Sequence, residues 1–149
     1  MTVLVAVWLW FAAVLGSPVC MPQPNMTLIP DVPGSVGRYW PGGSGHIQIE
    51  QGLGRLTRSV TVHELAHHHW YTCNIDDRRV GDRFLTVTGH AVWTQQAKEA
   101  WASTFTWVLT GHDDRSGLIN RHAAPLFLRL IDHPSRAMLG RMGYSTIPP

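Results

Sequence analysis

The stretch that decides the fold reads Ser59-Val60-Thr61-Val62-His63-Glu64-Leu65-Ala66-His67-His68-His69-Trp70-Tyr71. Its apolar residues recur at helical spacing, which predicts an α-helix over 56–71 with one face toward the core. On this helix His63 and His67 lie four residues apart, so both imidazoles project from the same face, one turn apart. Two side chains placed in this way can bind one metal ion, with Glu64 beside it.

The run from His63 to His67 spells H-E-x-x-H and resembles the active-site helix of the zincin metallopeptidases. The resemblance is close over these five residues and looser from His46 to about Leu109. It implies that His63 and His67 bind Zn²⁺, that Glu64 is the general base, and that the substrate is a peptide or protein. The alternative is a buried helix whose histidines only satisfy backbone groups, although two imidazoles and a carboxylate are costly to bury unpaired.

A third metal ligand is predicted on a second helix, over 92–109, which ends at Gly111. Glu99 breaks the apolar stripe of this helix, and small residues around it allow another helix to approach closely. Gluzincins, which the chain resembles, take a third ligand from a Glu on a downstream helix, and Glu99-Ala100-Trp101-Ala102 resembles the E-A-x-A run of small ImmA/IrrE-type metallopeptidases. Ser103 stands where thermolysin-like enzymes carry an Asp that supports a ligand. The alternative is that Glu99 is a solvated surface residue.

Cys73 is the competing third ligand. In the metzincin pattern H-E-x-x-H-x-x-G-x-x-H, Trp70 takes the glycine position and Cys73 takes that of the last histidine. Trp70 would be strained in a turn that often requires φ > 0, and on a continuing helix Cys73 lies about 15 Å from His63 along the axis. We therefore predict Glu99 as the ligand. Cys73 is then free to form a disulfide with Cys20, as in exported proteins, although two unpaired thiols fit the sequence equally well.

The rest of the chain divides into three segments. Residues 1–16 carry no charged side chain and are predicted to be a signal peptide, cleaved ahead of Ser17, or else an uncleaved anchor or a buried helix. Residues 17–45 form a Pro/Gly-rich arm that is loop-like and leaves no room for a long helix or a central strand. Residues 46–149 form the zincin-like metallopeptidase domain. A cleaved signal peptide predicts a secreted or cell-envelope protein without a membrane span, and its absence predicts a cytoplasmic one.

Two strands are predicted, at His46–Glu50 and at 84–88, separated by the helix and by an exposed loop over 72–82. The predicted fold is therefore α+β, a single small domain in which the active-site helix and the ligand helix pack on a small sheet. The zincin resemblance implies that His46–Glu50 lines the cleft and pairs with an extended substrate, whereas the simpler interpretation is a core strand. Pro125 is expected to begin a helical segment or to kink one, and a last short helix is expected over 135–139.

Hydrolysis also requires a donor that stabilises the oxyanion, and the sequence leaves four candidates open. These are His90, His112, Tyr71 and Tyr144. His68 and His69 are interpreted as solvent-facing or capping residues, although they could add to metal capture in a protein without turnover.

Length, composition and net charge limit the classes of function that the chain can have. The chain has 149 residues, 44% of them hydrophobic and 15% charged, which suits one globular domain. Its net charge of +2 is too small to predict binding to nucleic acid. The predicted function is a zinc-dependent peptidase. Two alternatives stay open: an exported domain that binds zinc or a partner without catalysis, and a zinc hydrolase of a non-protein substrate such as a cell-wall crosslink. The sequence does not predict an oligomeric state.

Overall fold

The computed structural model describes residues 2–16, 20–73 and 78–131, so the predicted cleavage point at Ser17, the helix over 135–139 and Tyr144 lie outside the described residues. The elements follow in the order α1 (Val3–Val14), β1 (Asn25–Ile29), β2 (Gly37–Trp40), β3 (His46–Glu50), α2 (Leu56–Cys73), α3 (Arg78–Thr88), α4 (Gln95–Thr110) and α5 (Ala124–Phe127). Across the described residues, five helices and one three-stranded sheet form a single domain, which confirms the predicted α+β class.

Helix α2 is the centre of the fold, since it packs on α4, on α1 and on strands β2 and β3. It begins after a turn in which Gly52 and Gly54 have positive φ of 81° and 56°. Helix α4 begins at Gln95 rather than at 92, because the Thr94 hydroxyl accepts a hydrogen bond from the Ala97 N–H and so caps the first turn. It ends where predicted, at Gly111, whose φ of 70° is left-handed.

The sheet has the order β1-β3-β2, with β1 parallel and β2 antiparallel to the central strand β3. The prediction that His46–Glu50 pairs with substrate is therefore wrong, since both edges of β3 are already taken. The arm over 17–45 is also more ordered than expected, because it supplies both edge strands. Its prolines fall outside these two short strands, which is why the Pro/Gly density concealed them.

The predicted strand over 84–88 is wrong, and so is the predicted loop over 72–82 where α3 replaces it. Five alternating residues are too short a window to separate a strand from one face of a helix. Phe84 is fully buried and stacks on Trp93 with ring centroids 5.8 Å apart. A helix buries the Phe84 ring in the core and leaves Arg79 and Arg83 exposed to solvent.

Helix α1 forms part of the hydrophobic core. Leu4, Trp8 and Phe11 are buried, and the Phe11 ring lies 5.6 Å from that of Phe105 on α4. The Arg58 guanidinium of α2 lies 4.2 Å from the centre of the Trp10 ring. Of the three interpretations of residues 1–16, this packing favours the buried helix. None of the helices in the described part of the chain has the length and hydropathy that a membrane crossing requires.

A disulfide joins Cys20 to Cys73, with Cα atoms 5.1 Å apart. It ties the segment that follows α1 to the last residue of α2, as the sequence analysis expected. Because its sulfur is bonded to Cys20, Cys73 is not available as a metal ligand. Pro125 lies in the first turn of α5, also as predicted.

Candidate metal centre

Three potential ligands converge where α2 faces α4. His63 and His67 project from α2 one turn apart, and their Nε2 atoms lie 3.1 Å from Oε2 and 3.4 Å from Oε1 of Glu99 on α4, respectively. One ligand atom from each residue lies within 4.8 Å of the other two. The geometry brings together the three residues that the sequence analysis selected as ligands.

The three residues fit a metal ion. Nitrogen and oxygen ligands lie about 2.0–2.1 Å from a tetrahedral zinc ion, which places two ligand atoms about 3.3 Å from each other. The observed separations of 3.1 and 3.4 Å, which join the two imidazoles to different oxygens of Glu99, are close to that spacing. Both imidazoles present Nε2 to the common point, which is a frequent mode of metal binding by histidine. The cluster could therefore hold a metal ion, with room for a fourth ligand on the side open to solvent.

Hydrogen bonds orient the Glu99 carboxylate and favour its ionised form. The Gln95 side-chain amide donates to Oε1 at 2.8 Å from one turn earlier on α4. Hydrogen bonds with His63 and His67 hold the pKa of Glu99 well below its usual range, despite partial burial. Burial lowers the pKa of His63, but its hydrogen bond to Glu99 and the nearby carboxylates raise it above the ordinary value overall. The cluster thus pairs a firmly ionised carboxylate with two imidazoles.

Glu64 lies beside the cluster and is only 7% exposed. Burial raises the pKa of its carboxyl group, and the nearby His63 and His67 offset part of that rise. Strand β2 covers this side chain at Gly37, where an added Cβ would lie 2.9 Å from Oε1 of Glu64. Glu64 is therefore held between α2 and β2, next to the two imidazoles and outside the ligand set.

The cluster lies on the wall of a cleft of about 380 Å³. Tyr71, one of the predicted oxyanion donors, lines this cleft, and the Lys98 ammonium donates a hydrogen bond to its hydroxyl at 3.3 Å. His112 lines a neighbouring cavity instead, and His90 lines neither of the two. Among the candidates that the structure describes, Tyr71 alone shares the cleft with all three ligands.

His68 and His69 are both buried, so the prediction that they face solvent is wrong. The Nε2–H of His68 donates to the Pro22 carbonyl at 2.7 Å, and the Tyr39 hydroxyl then donates to Nδ1 at 3.3 Å. Burial lowers the pKa of His68, which favours this neutral form. Since both nitrogens have partners in the arm, His68 fixes β2 to α2 and does not bind the metal.

Three residues of this region were missed by the sequence analysis. Arg38 and Tyr39 line the cleft from β2, inside the arm that was interpreted as loop. Asp114 lies in the loop after α4 and accepts a hydrogen bond from Ser103 at 2.7 Å. The Asp114 carboxylate is thus held against Ser103, and its charge contributes to raising the pKa of His63. The aromatic pair Tyr39-Trp40 was the one available signal, and nothing in the local sequence distinguished Asp114 from Asp113.

No protein-family model matches the chain, and no curated protein and no solved structure shows significant similarity to it.

Proposed function

We propose that the protein is a zinc-dependent hydrolase that cleaves peptide bonds. The observation that carries the proposal is the convergence of His63, His67 and Glu99 on one point, with the Glu64 carboxylate beside them on a cleft wall. Two imidazoles, one carboxylate and an open fourth position are the ligand set of many catalytic zinc sites. A cluster that served only to hold the fold together would need a fourth protein ligand, and none is present among the described residues.

The residues of the cleft divide the chemistry between them. Zinc bound by His63, His67 and Glu99 would lower the pKa of its water to about 7 and polarise the scissile carbonyl. Glu64 accepts the proton of the attacking water and then delivers it to the leaving amine. Its packing under Gly37 fixes the carboxylate in place for both transfers.

We assign Tyr71 as the hydrogen-bond donor that stabilises the oxyanion. Its hydroxyl oxygen accepts a hydrogen bond from the Lys98 ammonium, which leaves its own proton free to be donated into the cleft. A cation on the phenol oxygen also makes that proton a stronger donor. Lys98 contacts the Trp70 ring as well, 4.6 Å from its centre, so the ammonium is held in position.

A peptide is the favoured substrate because an edge strand borders the cleft. The Glu50 N–H donates to the Val36 carbonyl, so alternate residues of β2 direct their backbone groups toward β3. Because the direction alternates along the strand, Gly37 and Tyr39 direct their backbone N–H and C=O groups to the edge of β2 that no strand covers. The Ser35 hydroxyl satisfies both groups of Gly37, which leaves those of Tyr39 to pair with an extended chain.

The disulfide supports an oxidising location, and we propose that the protein is secreted or resides in the cell envelope. The burial of α1 supports a helix that stays with the domain after export rather than one that is removed. Intact-mass measurement and N-terminal sequencing of the natural protein test this directly. A cytosolic protein with reduced cysteines would contradict the proposal.

The decisive experiment compares the zinc-loaded wild type with Glu64→Gln on a mixed peptide library. We expect the variant to bind zinc with unchanged stoichiometry and to lose nearly all hydrolysis, because only the proton transfer is removed. Glu50→Gln, which changes the same group on β3 outside both cavities, is the matched control and should keep full activity. Wild-type turnover in Glu64→Gln would contradict the mechanism. Zinc binding by a wild type that cleaves no peptide would favour the binding-domain alternative or a non-protein substrate.

A further inference from the structure

A second cavity, of about 170 Å³, adjoins the cleft of the metal cluster. The two share Ser35, Gly37, His63 and Glu64 on their walls, so a substrate held at the cluster has immediate access to both. The volume corresponds to about six water molecules of ~30 Å³ each, which suits one side chain of five to seven non-hydrogen atoms. The proposed mechanism of hydrolysis does not by itself assign a role to this second cavity.

The cavity has apolar walls and a polar end. Val36 and Val60 contribute apolar surface, and Thr106 and Asp114 add a hydroxyl and a carboxylate. Apart from the imidazoles of His63 and His112, no basic side chain is found among its described lining residues. Such a cavity matches a guest with an aliphatic stem and a polar tip.

The hydroxyl of Thr106 lacks a partner. The residue is only 3% exposed, and its Oγ1 makes no hydrogen bond within the part of the chain that the structure describes. Buried hydroxyls are normally satisfied, so the unpartnered hydroxyl of this cavity-lining residue is a potential acceptor for a polar group that enters the cavity. A hydroxyl oxygen can accept a hydrogen bond from an ammonium or a guanidinium group.

Asp114 is an exposed residue that supplies a negative charge, and it interacts electrostatically with His63. Its carboxylate accepts hydrogen bonds from the Ser103 hydroxyl at 2.7 Å and from the Ser116 N–H at 2.9 Å. Burial raises the pKa of this group, but these hydrogen bonds lower it below the ordinary value, so the carboxylate is ionised at neutral pH. No Lys or Arg among residues 2–16, 20–73 and 78–131 forms an ion pair with it.

We propose that this cavity binds the side chain of a lysine or arginine of the substrate, next to the scissile bond. The inference rests on the proposed peptidase function and adds its specificity. The aliphatic stem of the guest lies against Val36 and Val60, and its cationic tip meets the Asp114 carboxylate and the Thr106 hydroxyl. An acidic guest is disfavoured by the same charge, and a short one leaves the tip of the cavity unfilled.

The test uses matched peptides that differ at one position, which carries lysine, arginine, norleucine or glutamate. Wild-type protein loaded with zinc gives kcat/KM, and zinc-loaded Glu64→Gln gives the dissociation constant by fluorescence anisotropy. Norleucine keeps the aliphatic stem of lysine and removes its charge. We expect lysine and arginine to exceed norleucine by about tenfold or more in both measurements, which corresponds to about 1.4 kcal/mol.

Two substitutions then locate the effect. Asp114→Asn should remove most of the preference for basic residues. Asp113→Asn, which changes an exposed neighbour that pairs with Arg121 at 3.9 Å, should leave it unchanged. Thr106→Val keeps the shape of the side chain and removes the unpartnered hydroxyl, so it should lower the affinity for the lysine peptide without lowering the melting temperature. It therefore tests the cavity even if Asp114→Asn folds poorly.

The outcomes separate the two proposals. Hydrolysis of all four peptides at similar rates, with equal affinities, would overturn the specificity inference and leave the peptidase function intact. Equal losses in Asp114→Asn and Asp113→Asn would overturn it as well. Binding that depends on Asp114, in a wild type that cleaves none of the peptides, would support the pocket and contradict the peptidase.

Discussion

Gly37 on β2 lies directly over Glu64 on α2. A Cβ on Gly37 would be 2.9 Å from the Glu64 Oε1 atom and 2.6 Å from Cγ1 of Val60, both closer than real Cβ contacts allow. The backbone at Gly37 does not have a positive φ, so the glycine is required by proximity rather than by conformation. Strand and helix can approach to this distance because one residue lacks a side chain, and the approach buries the Glu64 carboxylate.

Gly37→Ala is expected to displace Glu64 and lower kcat/KM by about tenfold or more, because small misplacements of catalytic groups have large effects on rate. Crowding of this kind also lowers the free energy of unfolding by about 1–3 kcal/mol. Zinc content should not change, since an added Cβ would meet Val60 and Glu64 rather than a candidate ligand. Steady-state kinetics and metal analysis check this. Gly81→Ala on α3, remote from the cleft, is the control, and equal losses in both variants would contradict a specific role for Gly37.

The third ligand is tested by Glu99→Ala. Removal of this carboxylate leaves two imidazoles and should weaken zinc binding severely, because ligand count sets much of the affinity of such sites. Competition with a fluorescent chelator measures the dissociation constant. Gln95→Ala, which removes only the hydrogen bond to Oε1, should weaken zinc by about 10-fold to 100-fold. Tight zinc binding by Glu99→Ala would exclude Glu99 as a ligand.

Cys73→Ser should leave zinc in place and lower stability. The disulfide closes a sequence separation of 53 residues, and chain entropy predicts a loss of about 4 kcal/mol when it is removed. Denaturant unfolding of the variant, compared with the oxidised wild type, measures this loss. Cys20→Ser should give the same value, because either substitution opens the same loop. Loss of zinc in Cys73→Ser, with zinc kept in Cys20→Ser, would restore Cys73 as a ligand.

The three candidate ligands could be predicted from the sequence because helical spacing places His63 and His67 on one face, and because the resemblance to gluzincins indicated Glu99. His63, Glu64 and His67 lie within two turns of one strongly periodic helix, and Glu99 stands out from the apolar stripe of another. The cleft wall on β2 depends instead on contacts across the fold. The sequence around Tyr39 does not show that its hydroxyl donates a hydrogen bond to His68, 29 residues later. The second cavity likewise requires Asp114 to return to Ser103, a tertiary contact without a periodic signature.

Tyr39 should make stability depend on alkaline pH. Burial, and then the neighbouring Tyr71, raise the pKa of Tyr39 to about 12. An unfolded tyrosine ionises near pH 10, so the stabilisation is complete below pH 10 and is lost as pH rises toward 12. By pH 11 the loss is at most about 1 kcal/mol, since the ring is partly open to solvent. Denaturant unfolding between pH 9 and 11 should show a flatter dependence in Tyr39→Phe, and identical slopes would contradict the assignment.

The last prediction concerns α1, whose packing conflicts with removal of residues 1–16. Phe11 is fully buried and contacts Phe105, which also lies edge-on to the ring of His69, two residues after the ligand His67. Phe11→Ala should therefore lower the free energy of unfolding by about 3–5 kcal/mol.

Leu9, which is 51% exposed on the same helix, provides the control, and Leu9→Ala should change stability by less than about 0.5 kcal/mol. Thermal unfolding of both variants, with the N-terminus of each confirmed by mass spectrometry, measures the difference. If neither substitution lowers the stability of protein that retains its first residues, α1 does not belong to the core. That result would favour the signal-peptide interpretation. If Phe11→Ala alone is destabilising, cleavage ahead of Ser17 would leave Phe105 uncovered, and the helix must stay with the domain.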